Sequence, residues 1–140
     1  MLLAVVSLFG AGIALAGPAQ AYCDYDHACF YSNSNFEGWK RRDYNSQLNW
    51  RNLAYDNNGN APLYYTDGYP SNVSSIENED PDTKLSVYYN SGNLGPCFMV
   101  AANGSVSNMG GIYIKSGMTA NDNMNSHKFS NSCLGNTYNF

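Results

Sequence analysis

Basic residues are scarce in this chain: seven Lys and Arg stand against eleven Asp and Glu, for a formal net charge of −4. So little positive charge argues against a nucleic-acid partner or an anionic lipid surface. Helix signals are nearly missing too, because the apolar residues settle into no sustained 3.6-residue period. Catalytic motifs are also lacking. There is no His-Glu-x-x-His and no Gly-x-Ser-x-Gly, so neither a zinc-peptidase nor a nucleophile-elbow chemistry has its parts. Of the two histidines, His27 reads as an exposed loop residue and His127 as structural. Glu37 and Asp43 could meet in space, but two carboxylates without a convergent set of titratable groups make no catalytic site. An enzyme is not expected.

What the chain does have begins with an apolar stretch over 1–16, closed by Gly17-Pro18-Ala19-Gln20-Ala21. The stretch is shorter than the ~20 residues that span a bilayer, and the small-x-small ending is what a signal peptidase reads. Residues 1–21 are therefore expected to be a signal peptide, with the mature chain starting at Tyr22 and free of the membrane after cleavage. No Lys or Arg precedes the apolar stretch, which leaves open a start upstream of Met1. Residues 22–140 suit one domain with a modest core.

Cys23, Cys29, Cys97 and Cys133 all lie in the exported part, where an oxidising compartment makes disulfides the default. Of three connectivities, Cys23–Cys29 with Cys97–Cys133 keeps each bridge inside one half of the chain. The chain-entropy model gives the short loop ~2 kcal/mol and the long one ~4 kcal/mol. A zinc site is the competing reading, but the Cys23-x5-Cys29 spacing is wrong for a zinc knuckle.

Short runs of Tyr, Val, Ile and Phe alternate with clusters of Asn, Gly, Ser, Asp and Pro, the pattern of strands joined by tight turns. Strands are expected at 28–32, 39–44, 63–66, 73–78, 84–90, 97–101, 111–115 and 126–129, with one helical turn within 46–54. Eight such strands indicate an antiparallel sandwich or barrel. The acidic, proline-bearing stretch 77–83 reads as a solvated connector between a first unit at about 22–80 and a second at about 84–140.

One phrase occurs twice. Phe30-Tyr31-Ser32-Asn33-Ser34-Asn35-Phe36-Glu37-Gly38 is echoed by Tyr88-Tyr89-Asn90-Ser91-Gly92-Asn93-Leu94-Gly95-Pro96. In the first copy Tyr31 and Phe36 can stack across a folded hairpin, with Gly38 where a Cβ would clash. The second copy, aligned on its aromatic pair, sets Tyr89 and Leu94 in those corner places and departs at the glycine, where Pro96 follows Gly95. This arrangement resembles the aromatic corner of the βγ-crystallin Greek key. Ser74-Ser75 and Asn125-Ser126 resemble the residues that tie the folded hairpin down. The resemblance implies an all-β, two-unit Greek-key sandwich with two disulfides. Calcium-binding members carry an Asn/Asp pair four positions before the tying serine. Pro70-Ser71 fails that pattern, whereas Asn121-Asp122 with Asn125 and Ser126 matches in part and offers one carboxylate. A polar turn is the alternative there, and no other cofactor is expected.

A small disulfide loop leading through Tyr31 into the aromatic hairpin, followed by a Ser-Ser segment and a second hairpin, is similar to the streptomycete metalloproteinase inhibitor family. That similarity implies a secreted, monomeric inhibitor that meets an extracellular metalloendopeptidase through a loop of its second unit: Asn93, Leu94, Gly95, Pro96, Cys97 and Phe98. Leu94 and Phe98 are the bulky apolar candidates for such an enzyme, with the alternative that both are core. The family's local disulfide in this loop is absent here. A carbohydrate or cell-wall binding module is the rival class, with Trp39, Tyr64 and Tyr65 as stacking platforms. A crystallin-like antimicrobial toxin is a third, and the acidic balance counts against it. Asn72-Val73-Ser74 and Asn103-Gly104-Ser105 fit the glycosylation pattern, but in a bacterial setting, which the family similarity implies, they are expected to stay unmodified.

Overall fold

A computed structural model describes residues 22–65 and 72–133. The expected signal peptide, Thr66, Pro70, Ser71 and the end of the second unit lie outside the described residues. The strands are β1 (Ala28–Tyr31), β2 (Lys40–Asp43), β3 (Ala54–Tyr55), β4 (Asn58–Pro62), β5 (Ser75–Asn78), β6 (Leu85–Asn90), β7 (Leu94–Val100), β8 (Gly104–Val106), β9 (Tyr113–Lys115), β10 (Met118–Thr119) and β11 (Ser126–Phe129). The expected strand at 63–66 is corrected. The chain pairs earlier, as the β3–β4 hairpin, and Leu63 instead drops into the core with its N–H on the Leu53 carbonyl. Asn58-Gly59-Asn60-Ala61-Pro62 reads as loop because its residues are turn formers; pairing with the preceding segment overrides that propensity.

Two antiparallel sheets face each other, one in the order β2-β1-β5-β8 and the other β11-β6-β7. Each half of the chain lends to the other's sheet. β8, from the second half, pairs with β5 through Ile76 and Val106. In return, Gln47 of the first half bridges His127 on β11. The expected helical turn appears as a 3-10 turn, Trp50–Asn52, capped by the Asn49 side chain, which accepts from the Arg51 N–H at 3.0 Å. Its counterpart Met109–Gly111 is capped the same way by Asn108. The two units are thus alike down to their caps.

Alternation along β1 and β6 builds the layers. Ala28, Phe30, Leu85 and Val87 enter the core between the sheets with Trp50, Ile76, Phe98 and Ile114. The other faces are covered as well. Cys29 and Tyr31 lie under Cys23 and Phe36, while Tyr88, Cys97 and Met99 lie under Cys133. Both disulfides, Cys23–Cys29 and Cys97–Cys133, are formed, so each outer face is stapled at its centre. Asp43, considered above as half of a carboxylate pair, is instead buried and held by the Arg41 guanidinium at 2.7 Å.

His127 sits fully buried against Phe30, ring centroids 4.6 Å apart, and accepts at Nδ1 from the Trp50 indole N–H at 2.9 Å. Indole can only donate, so the imidazole proton is on Nε2 and is given to the Asn45 carbonyl at 3.1 Å. Protonation at Nδ1 would turn an acceptor into a second donor facing the indole. Burial pushes the His127 pKa down to about 3, with the Asn45 carbonyl opposing and the Arg41 charge assisting. Because the unfolded chain binds a proton here that the folded one refuses, this contribution is intact above about pH 6.5 and is lost as pH falls toward 3. The expected loss is about 1.4 kcal/mol per pH unit in that window. Asp43 and Asp122, both raised chiefly by desolvation, act in the opposite sense. The check is therefore the difference in pH slope of unfolding free energy between the wild type and His127→Gln. Equal slopes between pH 6 and 4 would contradict this account of His127.

Candidate functional site, the folded hairpin of the second unit

The turn between β6 and β7 folds back on itself and is tied by one hydroxyl. Ser126 Oγ donates to the Asn90 carbonyl at 2.6 Å and accepts from the Asn93 N–H at 3.1 Å. The first unit repeats this with Ser75, which donates to the Asn33 carbonyl at 2.6 Å and accepts from the Phe36 N–H at 3.0 Å. These equivalent bonds set the register of the repeat, and it is shifted by one residue from the aromatic alignment. Asn93, not Leu94, stands in the place of Phe36, and Tyr88, not Tyr89, in the place of Tyr31. Gly95 regains the glycine position, with φ +77 against +81 at Gly38. A Cβ on Gly95 would lie 2.7 Å from the Asn90 side chain, so the fold-back needs glycine twice over.

The consequence falls on the corner residues. Tyr31 and Phe36 meet edge to face at 5.8 Å, and Tyr31 donates its hydroxyl to Glu77 at 2.5 Å. In the second unit the corner has no second ring. Tyr88 is buried and reaches the Ser132 carbonyl at 3.4 Å, while Tyr89 is half-buried beneath the Lys115 ammonium. Leu94 is 63% exposed. A one-residue slip moves a strand side chain to the opposite face, which is why Leu94 points into solvent.

The remaining loop candidates separate by burial. Phe98 and Cys97 are core, Asn93 and Pro96 are half-buried, and Gly95 is exposed. A second apolar residue joins Leu94 that sequence reasoning missed. Gly92 donates its N–H to the Leu48 carbonyl at 2.7 Å, and the Leu48 side chain is 62% exposed. Beside the loop lies a depression of about 290 Å³ lined by Tyr88, Gly92, Asn93, Lys128, Ser130 and Ser132. The long-range bridge to Cys133 holds the 130–133 segment over β6, where Ser86 Oγ reaches the Ser130 and Ser132 carbonyls at 3.1 Å.

Of the calcium candidates Asn121, Asp122, Asn125 and Ser126, two already have hydrogen-bond partners for their side-chain oxygens. Ser126 spends its hydroxyl on the hairpin, and the Asp122 carboxylate takes the Asn121 amide at 2.5 Å. Desolvation raises the Asp122 carboxyl, with a Ser74 hydrogen bond opposing. Two buried amide oxygens, Asn93 Oδ1 and Asn125 Oδ1, lack a hydrogen-bond partner. The side chains thus offer one engaged carboxylate and two neutral oxygens toward the six to eight oxygen ligands, backbone carbonyls and waters included, that calcium takes. Among the described residues no three His, Cys, Asp or Glu side chains gather where they could hold an ion. Asn72, of the first glycosylation pattern, is buried with its amide on the Tyr65 and Asp122 carbonyls.

No family model matches the chain, and no curated protein does. Solved structures do. A structure described as "Evolution of the eye lens beta-gamma-crystallin domain fold" superposes with a TM-score of 0.55 at 16% identity, covering 77% of this chain and 89% of that one. The fold is that of the βγ-crystallins. A βγ-crystallin from Ciona intestinalis aligns at 17% identity and TM-score 0.48, over 74% of this chain and 99% of its own. At such identities the likeness carries the fold alone, and no finding ties the chain to the streptomycete inhibitors in particular.

Three substitutions test the hairpin by urea unfolding. Ser126→Ala leaves a partly buried donor and acceptor without their partner and should cost about 1 kcal/mol or somewhat more. Gly95→Ala should cost at least about 1 kcal/mol through its positive φ and the Asn90 contact. Leu94→Ala should stay within about 0.5 kcal/mol of wild type; a loss comparable to that of Ser126→Ala would place Leu94 in the core after all.

Proposed function

We propose that the protein is a secreted, non-enzymatic proteinase inhibitor that offers the 90–95 loop of its second unit to a metalloendopeptidase. The observation that carries the reading is Leu94: a bulky apolar side chain held out in water on a backbone whose turn is already fixed by Ser126, Gly95 and the Leu48 carbonyl. A loop ordered in advance gives up little conformational entropy on docking, which is what a substrate-like inhibitor requires. The tie through Ser126, together with Cys97–Cys133 midway along β7, takes the place of a disulfide within the loop. Two disulfides accord with an oxidising compartment, and among the described residues no helix is long and apolar enough to cross a membrane.

A second reading, binding of carbohydrate or cell wall, is favoured by exposed rings, of which Tyr65, 55% exposed, is one the sequence suggested. Trp39 packs against Tyr55 and the core, and Tyr64 lies under the Arg51 guanidinium. Tyr22, Tyr25 and Tyr44 stand in water beside Tyr65 as further exposed rings of the chain. The deciding experiment incubates the purified protein with a thermolysin-like and a subtilisin-like enzyme. Inhibition of the thermolysin-like enzyme is expected, with Leu94→Asp raising Ki at least about tenfold, as for an anchoring side chain. No inhibition of either enzyme, with retention on chitin or peptidoglycan, would overturn the inhibitor reading in favour of the second.

A further inference from the structure

A depression of about 520 Å³ opens between the 3-10 turn Trp50–Asn52 and β4, lined among others by Arg51, Asn52, Gly59, Asn60, Pro62 and Tyr65. No residue of the 90–95 loop is in its wall. Two of its members are set in place by the chain around them. The Arg51 N–H is held by the Asn49 side chain at 3.0 Å, and the Arg51 guanidinium lies over the Tyr64 ring, 5.2 Å from its centroid. Tyr65 is gripped by the buried Asn72 side chain, whose oxygen accepts from the Tyr65 N–H at 2.7 Å and whose nitrogen donates to the Tyr65 carbonyl at 3.0 Å. The Tyr65 backbone is thereby fixed while the residue stays exposed.

Arg51 differs from the other arginines. Arg41 holds Asp43, and Arg42 holds Asp24 and Asp56, whereas among the described residues no carboxylate pairs with Arg51 and none lines the depression. A guanidinium seated on a ring keeps its in-plane N–H fork for an acceptor, and a carboxylate fits that fork with two parallel bonds. Asn52 and Asn60 are exposed, and their side-chain amides bond no other described residue. Each amide offers donors and an acceptor together, which is what a hydroxyl group needs. The tyrosine ring adds an apolar face beside these polar groups. A carboxylate, several hydroxyls and a flat C–H face occur together in one ligand class, the acidic sugars.

We propose that this depression binds a carboxylate-bearing saccharide of the uronic acid kind. Arg51 takes the carboxylate, Asn52 and Asn60 take ring hydroxyls, and Tyr65 stacks on the C–H face of the pyranose. The volume falls within the roughly 300–1,000 Å³ of small-molecule sites. The proposal rests on the carbohydrate reading above and narrows it to a ligand class, and it makes no use of Leu94.

The test is an NMR titration of the purified, disulfide-bonded protein with trigalacturonate, beside its neutral methyl ester, chitotriose and sodium acetate. Saturable shifts at the amides of Asn52, Asn60 and Tyr65 are expected with trigalacturonate, at a Kd at least about tenfold below that of the ester. Arg51→Gln should remove that difference, and Arg51→Lys should restore only part of it, because an ammonium lacks the planar fork. Both variants should keep the wild-type thermal midpoint, since Arg51 is exposed. Tyr65→Ala should weaken acid and ester alike. Ester or chitotriose bound as tightly as the acid would overturn the acidic-sugar proposal and leave the carbohydrate reading standing. The same shifts from acetate at equal affinity, or no saturable shift at these amides with any sugar, would overturn it too. None of these outcomes bears on inhibition through Leu94.

Discussion

A serine hydroxyl that both donates and accepts inside a folded hairpin is the interaction on which the rest of this structure depends. Ser126 closes the second hairpin and Ser75 the first, each taking one carbonyl and one N–H that the fold-back would otherwise leave partly buried without that partner. A backbone group shielded from water without a partner costs free energy, so these ties help decide where each hairpin turns. The turn decides the register, and the register decides which side chain faces water. Leu94 is exposed because Asn93 is the residue tied.

From the ties the packing follows. With the hairpins folded, both central strands bury their two faces: one against the opposite sheet, the other beneath a disulfide. The halves then hold each other through the lent strand β8 and through the Gln47–His127 bridge. Trp50 and His127 join the halves again inside the core. A single polar bond there is affordable only because every hydrogen-bonding atom on the imidazole has a partner, and burial keeps the ring neutral.

Much of this was legible. The first corner could be read because Tyr31, Phe36 and Gly38 are each the residue type their position needs. The disulfides could be read because each bridge closes within a half. The second corner misled because Tyr88-Tyr89 offers two aromatics of equal claim, and Asn93 carries no mark that it stands for a ring. Only the hydrogen bonds of Ser126 separate the two registers. β4 and β8 escaped because Asn58-Gly59-Asn60 and Gly104-Ser105 are turn formers paired by tertiary context. Leu48 escaped because its nearness to the loop is a single backbone bond across the sheets.

If the tie through Ser126 organises the loop, the Asn93 amide must be closed to solvent although both its neighbours, Gly92 and Leu94, are exposed. Amide hydrogen exchange measured residue by residue reads this directly. The account predicts that Asn93 exchanges orders of magnitude more slowly than an amide of an unstructured loop, at a rate close to that of Phe36 in the first hairpin. Exchange of Asn93 at the rate of an unstructured loop would contradict it.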